Sequence, residues 1–241
     1  MESLQSSRPV NFCQACAVRN RAICADLDNE EIRLLNTLGR LRTIQPGEQL
    51  LWEGDEAVLV ANVISGVLRL FTQTADGKEQ ILGLVYPSDF LGRPFGETTP
   101  YGVEALTEAE VCVFQRADFD RFAREHPRLE HKLLERTLTE LDRTRRWMLL
   151  LGRMNAQQKL ATFLLELTDR IAPVRRNLIP EDAPRGVELP LSRQQIADIL
   201  GLTVETVSRQ FTRMKADGLI DTAGRRHVNI LDWTGLEART G

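Results

Sequence analysis

The chain has 241 residues, 42% of them hydrophobic, and a formal net charge of −3. That length accommodates two domains with separate cores, and the apolar fraction excludes a disordered chain. The slightly acidic balance argues against a protein that coats nucleic acid by charge alone, although basic residues gather locally: Thr203 to Ala216 holds Arg209, Arg213 and Lys215 against Glu205.

Residues 1–25 are polar and carry Cys13, Cys16 and Cys24 as Cys-x2-Cys-x7-Cys; the fourth cysteine, Cys112, stands far off. Met1 to Asn11 has no apolar core of a secretory signal, and no stretch approaches the ~18 apolar residues of a membrane span. A cytoplasmic protein with no membrane partner is expected. Cysteines stay reduced there, so a clustered set points to metal or redox work. Asp28 to Leu38 spaces Ile32, Leu34, Leu35 and Leu38 as a short helix. From 40 to 115 turn signals recur, at Pro46-Gly47, Gly54-Asp55, Ser65-Gly66, Asp76-Gly77 and Pro87-Ser88-Asp89. Between them lie short apolar runs at Val63-Ile64, Val67 to Phe71, Gln80 to Val85 and Val111 to Phe114. This pattern predicts a sandwich or β-roll, with a hairpin turn at Asp76-Gly77.

Helices return at Asp118, and Pro127 opens a long one that runs to about Arg153. Leu134, Thr137, Leu141, Thr144, Met148 and Leu151 fall at alternating spacings of three and four, a seam for a second copy of the same helix. The alternative is an amphipathic helix packed on its own domain. The two threonines bury less apolar area than leucine, so the seam should be weak. Asn155 caps a further helix over 156–172, and Pro173, Pro180 and Pro184 punctuate a connection. Val187 to Leu191 reads as extended, with Pro190 allowing only an edge strand.

Ser192 then caps a helix-turn-helix that continues to Arg213. Ala197 is small enough for two helices to approach, Gly201 permits the positive φ of the turn, and Val207 fills the space between the helices. The second helix presents Glu205, Ser208 and Arg209 on one face, as a major-groove reader does, and Thr203, Thr206 and Arg213 complete the expected DNA-facing set. Arg209 can donate to guanine O6 and N7, and Glu205 can accept from cytosine N4. Leu219 to Leu231 reads as a β-hairpin wing that brings Arg225 and Arg226 to phosphate.

A β-roll, a long helix and a winged helix-turn-helix, in this order, resemble the cyclic-AMP receptor (CRP) family of bacterial transcription regulators over about residues 30–232. Gly201-Leu-Thr-Val-Glu-Thr-Val-Ser-Arg209, Met148-Leu-Leu-Leu151, Asn155-Ala156 and Ala105-Leu106 ahead of Val111-Cys112 resemble its oxygen-responsive FNR branch most closely. The resemblance implies an α+β chain: a cluster-binding segment (1–27), a cyclic-nucleotide-binding-like β-roll sensor domain (28–126), a dimerisation helix (127–154) and a winged helix-turn-helix domain (155–241). It implies that Cys13, Cys16, Cys24 and Cys112 hold a [4Fe-4S] cluster, and the seven-residue gap after Cys16 resembles a recognised subgroup. It further implies a homodimer on double-stranded promoter DNA, and a loop at Ala75 to Gln80 that touches RNA polymerase. Val204 stands where CRP-like readers carry arginine, so a TTGAT-type half-site is implied. Loss of the cluster in oxygen would release the N-terminal segment and the dimer.

By chemistry alone, four thiolates could close either a [4Fe-4S] cube or a tetrahedral zinc site. A regulator on the same fold that answers to another small ligand is the remaining alternative. Cyclic nucleotide is not expected: Gly96-Glu97 is present, but Gly102-Val103 occupies the place of the arginine that would pair the phosphate, and Arg93 is the only cation of the loop. Catalysis is not expected either, since His126, His131 and His227 form no ligand or nucleophile motif.

Overall fold

The computed structural model describes residues 12–75, 77, 79–171, 185–224 and 226–240. The chain packs as two units: Met1–Gly66 with Pro87–Thr139, and Val67–Tyr86 with Glu140–Gly241.

In the first unit, residues 12–27 wind through successive turns onto α1 (Asn29–Leu38). The Asp28 carboxylate accepts from the Glu30 and Glu31 amides at 2.9 and 3.0 Å, while Glu31 accepts from the Asp28 amide at 2.8 Å. This reciprocal cap fixes the helix start and leaves Ile32 and Leu35 to the core. Eight strands follow in the chain: β1 (Arg40–Ile44), β2 (Gln49–Leu51), β3 (Leu59–Ser65), β4 (Leu68–Gln73), β5 (Glu79–Val85), β6 (Phe90–Leu91), β7 (Gly102–Ala105) and β8 (Ala109–Gln115). Within the first unit β1, β8, β3 and β6 lie side by side, all antiparallel, and β2 pairs with β7. Both faces of β3 are buried from Val60 to Val63, as its apolar residues on either side of Asn62 require. Two helices close the unit, α2 (Arg116–Glu125) and the first half of α3 (Pro127–Arg153). The strands not anticipated from sequence, β1, β2, β6 and β7, are short or, in β1, mostly exposed.

The second unit begins with the hairpin β4–β5, where Arg69 pairs with Glu79 and lies over the Phe71 ring. Gly77 has the expected positive φ of 80°; Asp76 lies outside the described residues. The rest of α3 is tied to α4 (Ala156–Ile171) by Arg143, whose Nε donates to Glu166 at 2.9 Å. Asn155 caps α4, accepting from the amides of Gln157 and Gln158 at 3.0 and 3.1 Å. Then come β9 (Arg185–Glu188), α5 (Arg193–Leu200), α6 (Val204–Ala216), β10 (Ile220–Ala223), β11 (His227–Ile230) and α7 (Trp233–Glu237). The wing is a three-stranded sheet rather than a hairpin, in the order β10-β11-β9. β9 lies at its edge and stops at Glu188, two residues before Pro190, which has no amide to donate. The connection around Pro173, Pro180 and Pro184 lies outside the described residues. No helix among the described residues is long and apolar enough to cross a membrane.

Candidate functional site

The N-terminal turns bring Cys13, Cys16 and Cys24 onto the face of the β-sheet that carries Cys112. Cys13, Cys24 and Cys112 are buried members of one apolar cluster with Val18, Ile23, Phe114 and Phe119, and Cys16 packs against it. The Cys13 amide donates to Asn36 Oδ1 at 3.2 Å, and the Cys24 thiol donates to the Arg19 carbonyl at 3.9 Å. Gly39, at the end of α1, is needed here for space: a Cβ on it would stand 2.9 Å from Phe114 and 3.1 Å from Cys112 Sγ. Burial pushes the Cys13 thiol up to about 12, helped by Cys24 and Cys16 and opposed by Arg19. Burial, then Cys16, lifts Cys24 to about 11. Cys112 is raised by burial, then by Cys13, Cys16 and Cys24. Each of these thiols therefore feels others of the set, and Cys13, Cys24 and Cys112 are neutral near pH 7 in the absence of a cation.

Four thiols in an apolar wall are a donor set suited to iron–sulfur or another soft metal centre. Among the described residues, no three His, Cys, Asp or Glu side chains stand close enough to hold a single metal ion. The donor chemistry fits, and the side chains must shift to close on a ligand.

The same cluster contains Leu129 and Leu133, from the start of α3. Lys132 of α3 pairs with Asp26 at 3.1 Å, and Arg128 reaches Asp28 at 3.5 Å. The cysteine segment is thus packed directly on the long helix. Further along α3, Leu134, Thr137, Leu141, Thr144, Met148 and Leu151 are all exposed, Met148 by 68%. Leu138, exposed by 53%, lies on the same stripe but off the heptad register, so spacing alone does not flag it. The hydroxyls of Thr137 and Thr144 donate to the carbonyls of Leu133 and Glu140 at 2.8 and 2.9 Å. Their polar ends are satisfied within the helix.

In the second unit the helix-turn-helix has complete local chemistry. Ser192 Oγ accepts from the Gln195 amide at 3.2 Å and Gln195 Oε1 accepts from the Ser192 amide at 2.9 Å. Gly201 adopts φ 61° and ψ 44°, the left-handed turn, and Ala197 and Val207 are fully buried between α5 and α6. Thr203 Oγ1 caps α6, accepting from the Thr206 amide at 3.2 Å. Glu205, Ser208, Arg209 and Arg213 are exposed on α6, and Arg209 Nη2 donates to Thr206 Oγ1 at 3.3 Å. Arg226 is exposed at the tip of the wing; Arg225 lies outside the described residues.

Two residues that hold this platform carried no motif to flag them. The buried Lys159 of α4 donates from Nζ to the Leu200 carbonyl at 3.1 Å, at the C-terminal end of α5. The Arg193 guanidinium lies 3.1 Å from the Phe211 ring centre, and burial lowers its pKa to about 10. The first contact joins helices about forty residues apart in sequence, and the second joins the two helices of the motif.

Gly102 and Val103 are buried in β7, and the Phe95 amide donates to the carboxylate of Asp120 at 3.2 Å.

Residues 41–126 match the family model described as "Cyclic nucleotide-binding domain", and residues 158–239 match "Crp-like helix-turn-helix domain". The chain is 42% identical over 229 residues to "Transcriptional activator protein FnrL" of Cereibacter sphaeroides, covering 95% of this chain and 92% of that protein. It is 40% identical to "Nitrogen fixation regulation protein FixK" of Bradyrhizobium diazoefficiens, over 95% and 93% of the two chains. Among solved structures, FixK2 from Bradyrhizobium japonicum superposes with a TM-score of 0.73 at 29% identity, over 84% of this chain and 98% of that one. None of these names states a cofactor.

Proposed function

This chain belongs to the CRP/FNR family of DNA-binding transcription regulators, which are not enzymes, and within that family we propose that it is an oxygen-responsive activator. In this reading Cys13, Cys16, Cys24 and Cys112 hold a [4Fe-4S] cluster, and the protein dimerises and binds TTGAT-type palindromic promoter DNA when oxygen is low. The observation that carries the reading is the gathering of all four cysteines in one apolar cluster with Leu129 and Leu133 of α3.

When bound, the cluster supplies a centre that oxygen degrades and that needs four thiolates to persist. The protein's part is to release the thiol protons, which burial otherwise retains, and to draw three N-terminal sulfurs toward Cys112. Residues 12–27 are then tied to β8. Through Leu129, Leu133 and the Asp26–Lys132 pair they bear on α3. A small change in the angle of α3 alters how its exposed stripe meets a second copy. Two copies then present α6 to half-sites about 34 Å apart, one helical turn of DNA. Arg209, Glu205 and Ser208 read bases, and Arg226 meets phosphate. The exposed residues at the β4–β5 turn, Ala75, Gly77, Glu79 and Gln80, are the surface assigned to RNA polymerase.

The test is an anaerobic absorption spectrum of the reconstituted protein with iron and sulfide analysis, followed by DNA binding before and after air. The expected result is a brown protein with four irons and four sulfides per chain, dimeric and DNA-bound only before air. A colourless protein with stoichiometric zinc would overturn the reading.

A further inference from the structure

Asn62 is an uncharged polar side chain in the wall of the cysteine site. It lies in the middle of β3 and is 3% exposed, yet its Oδ1 has neither solvent nor a hydrogen-bond partner. A buried carboxamide oxygen without a partner is costly, and strand interiors favour apolar β-branched residues at such positions. Something at this place must repay the polarity.

The register shows what it faces. Asn62 pairs with Cys112 of β8 on one side and with Phe90 of β6 on the other. Residues directly opposed in an antiparallel pair point to the same face, with Cβ atoms about 4.5–5.5 Å apart. Val60 and Ile64, two residues either side of Asn62 on β3, both pack into the cluster that contains Cys13, Cys24 and Cys112. Alternation along the strand puts Asn62 on that same face. Its carboxamide is the polar group beside Cys112 in an otherwise apolar wall.

A neutral thiol is a weak acceptor, whereas a thiolate ligand accepts hydrogen bonds well. The carboxamide is nearly symmetric in shape, and a half-turn about its last side-chain bond aims the NH2 group where the oxygen stands. We propose that Asn62 is a positioning and tuning residue of the cysteine site: its NH2 donates a hydrogen bond to the Cys112 sulfur, or to a sulfide beside it, when the cluster is bound. The inference rests on the proposed cluster. Donation to a ligand sulfur stabilises the added electron density of the reduced centre, so it raises the reduction potential and holds Cys112 in its ligating orientation.

Asn62→Val and Asn62→Thr form a matched pair for the test. They share shape and strand propensity, but only threonine keeps a donor. Each is reconstituted anaerobically beside the unsubstituted protein. The reduction potential, the iron and sulfide content, and the loss of visible absorbance on addition of a chelator without oxygen are measured. The thermal midpoint of the cluster-free form is recorded as well. Asn62→Val should raise the cluster-free midpoint, because it removes a buried carboxamide oxygen without a partner. It should also lower the reduction potential and speed chelator-driven loss about 10-fold. Asn62→Thr should recover part of the potential and of the lifetime. Equal potentials and lifetimes in all three proteins would overturn the inference while leaving the cluster reading intact. Failure of the unsubstituted protein to take up iron and sulfide would overturn both. If Asn62→Val does not fold, the inference stands or falls on Asn62→Thr against the unsubstituted protein, an unchanged potential and lifetime counting against it.

Discussion

The cysteine site and the helix-turn-helix reach their geometry by opposite routes. In the helix-turn-helix each defining contact is local: Ser192 with Gln195, Thr203 with Thr206, and Gly201 between them. Its reading face is exposed and complete without a partner. The cysteine site is assembled from turns near the N-terminus and a strand about 90 residues later. Its thiols are buried and its members push one another toward the neutral state. In one region the reading side chains already stand exposed, and in the other burial and mutual repulsion hold the thiols neutral.

The sharpest way to break that comparison is to remove one thiol. Cys112→Ala should abolish iron and sulfide uptake entirely, because three thiolates leave one iron unclosed. Circular dichroism should still show the folded helix-turn-helix. Retention of four irons in the variant would mean that the ligand set is wrong.

Next in size is the exposed stripe of α3. A charge placed in an apolar seam must be desolvated without a partner, so Leu141→Glu and Met148→Glu should each give monomers anaerobically. Thr144→Ile adds apolar area where a hydroxyl is tied back to Glu140, and should tighten the dimer by about 1 kcal/mol per protomer. Sedimentation at several concentrations reads both effects, and a dimer indifferent to all three changes would place the interface elsewhere.

On the reading side, Arg209→Ala should cost about 1–3 kcal/mol and relax preference at one base pair. Arg226→Ala should weaken all sites alike and flatten the salt dependence. Binding to a TTGAT-type palindrome and its single-base variants, at two salt concentrations, separates them. Full discrimination retained by Arg209→Ala would move the recognition surface.

The neutral thiols predict a pH dependence with a definite sign. Cys13 and Cys24 titrate near 12 and 11 in the folded chain against an ordinary 9.0. An unfolded chain loses these protons first, so the cluster-free protein should keep its full stability below pH 9 and lose it as pH rises toward 12. Thermal midpoints between pH 8 and 11 measure this. The decline should flatten in a Cys13→Ala, Cys24→Ala protein.

What was legible in the sequence follows the same division. Caps, the Gly201 turn and the burial of Ala197 and Val207 depend on neighbours within a few residues, so their spacing revealed them. The strand runs of β3, β4, β5 and β8 were visible because each is an apolar run bounded by turn residues. β9 joined the wing only through pairing with β11 across some forty residues, and no local pattern announces that. The closeness of Cys112 to the N-terminal cysteines came from resemblance, since spacing along the chain says nothing of the β8 register. Asn62 is legible only after the register is known: in sequence it is one polar residue in Leu-Val-Ala-Asn-Val-Ile.

Lys159 gives the smallest expected effect and tests how self-sufficient the helix-turn-helix is. Its motif closes locally, yet the last carbonyls of α5 have no partner inside that helix. Lys159, from α4, satisfies the Leu200 carbonyl with a buried ammonium at the negative end of the α5 dipole. Lys159→Met keeps the length and the apolar stem but removes the donor. A hydrogen bond from a charged group contributes about 1.5–3 kcal/mol, and the ammonium's own desolvation offsets part of it. The net loss should be about 1 kcal/mol, seen as a lower thermal midpoint. DNA affinity should fall while base preference stays as it was, because α6 keeps its side chains and loses only the firmness of its support. If the midpoint is unchanged and base preference shifts, Lys159 sets the angle of the recognition helix rather than its stability, and the reading platform is less local than its motif implies.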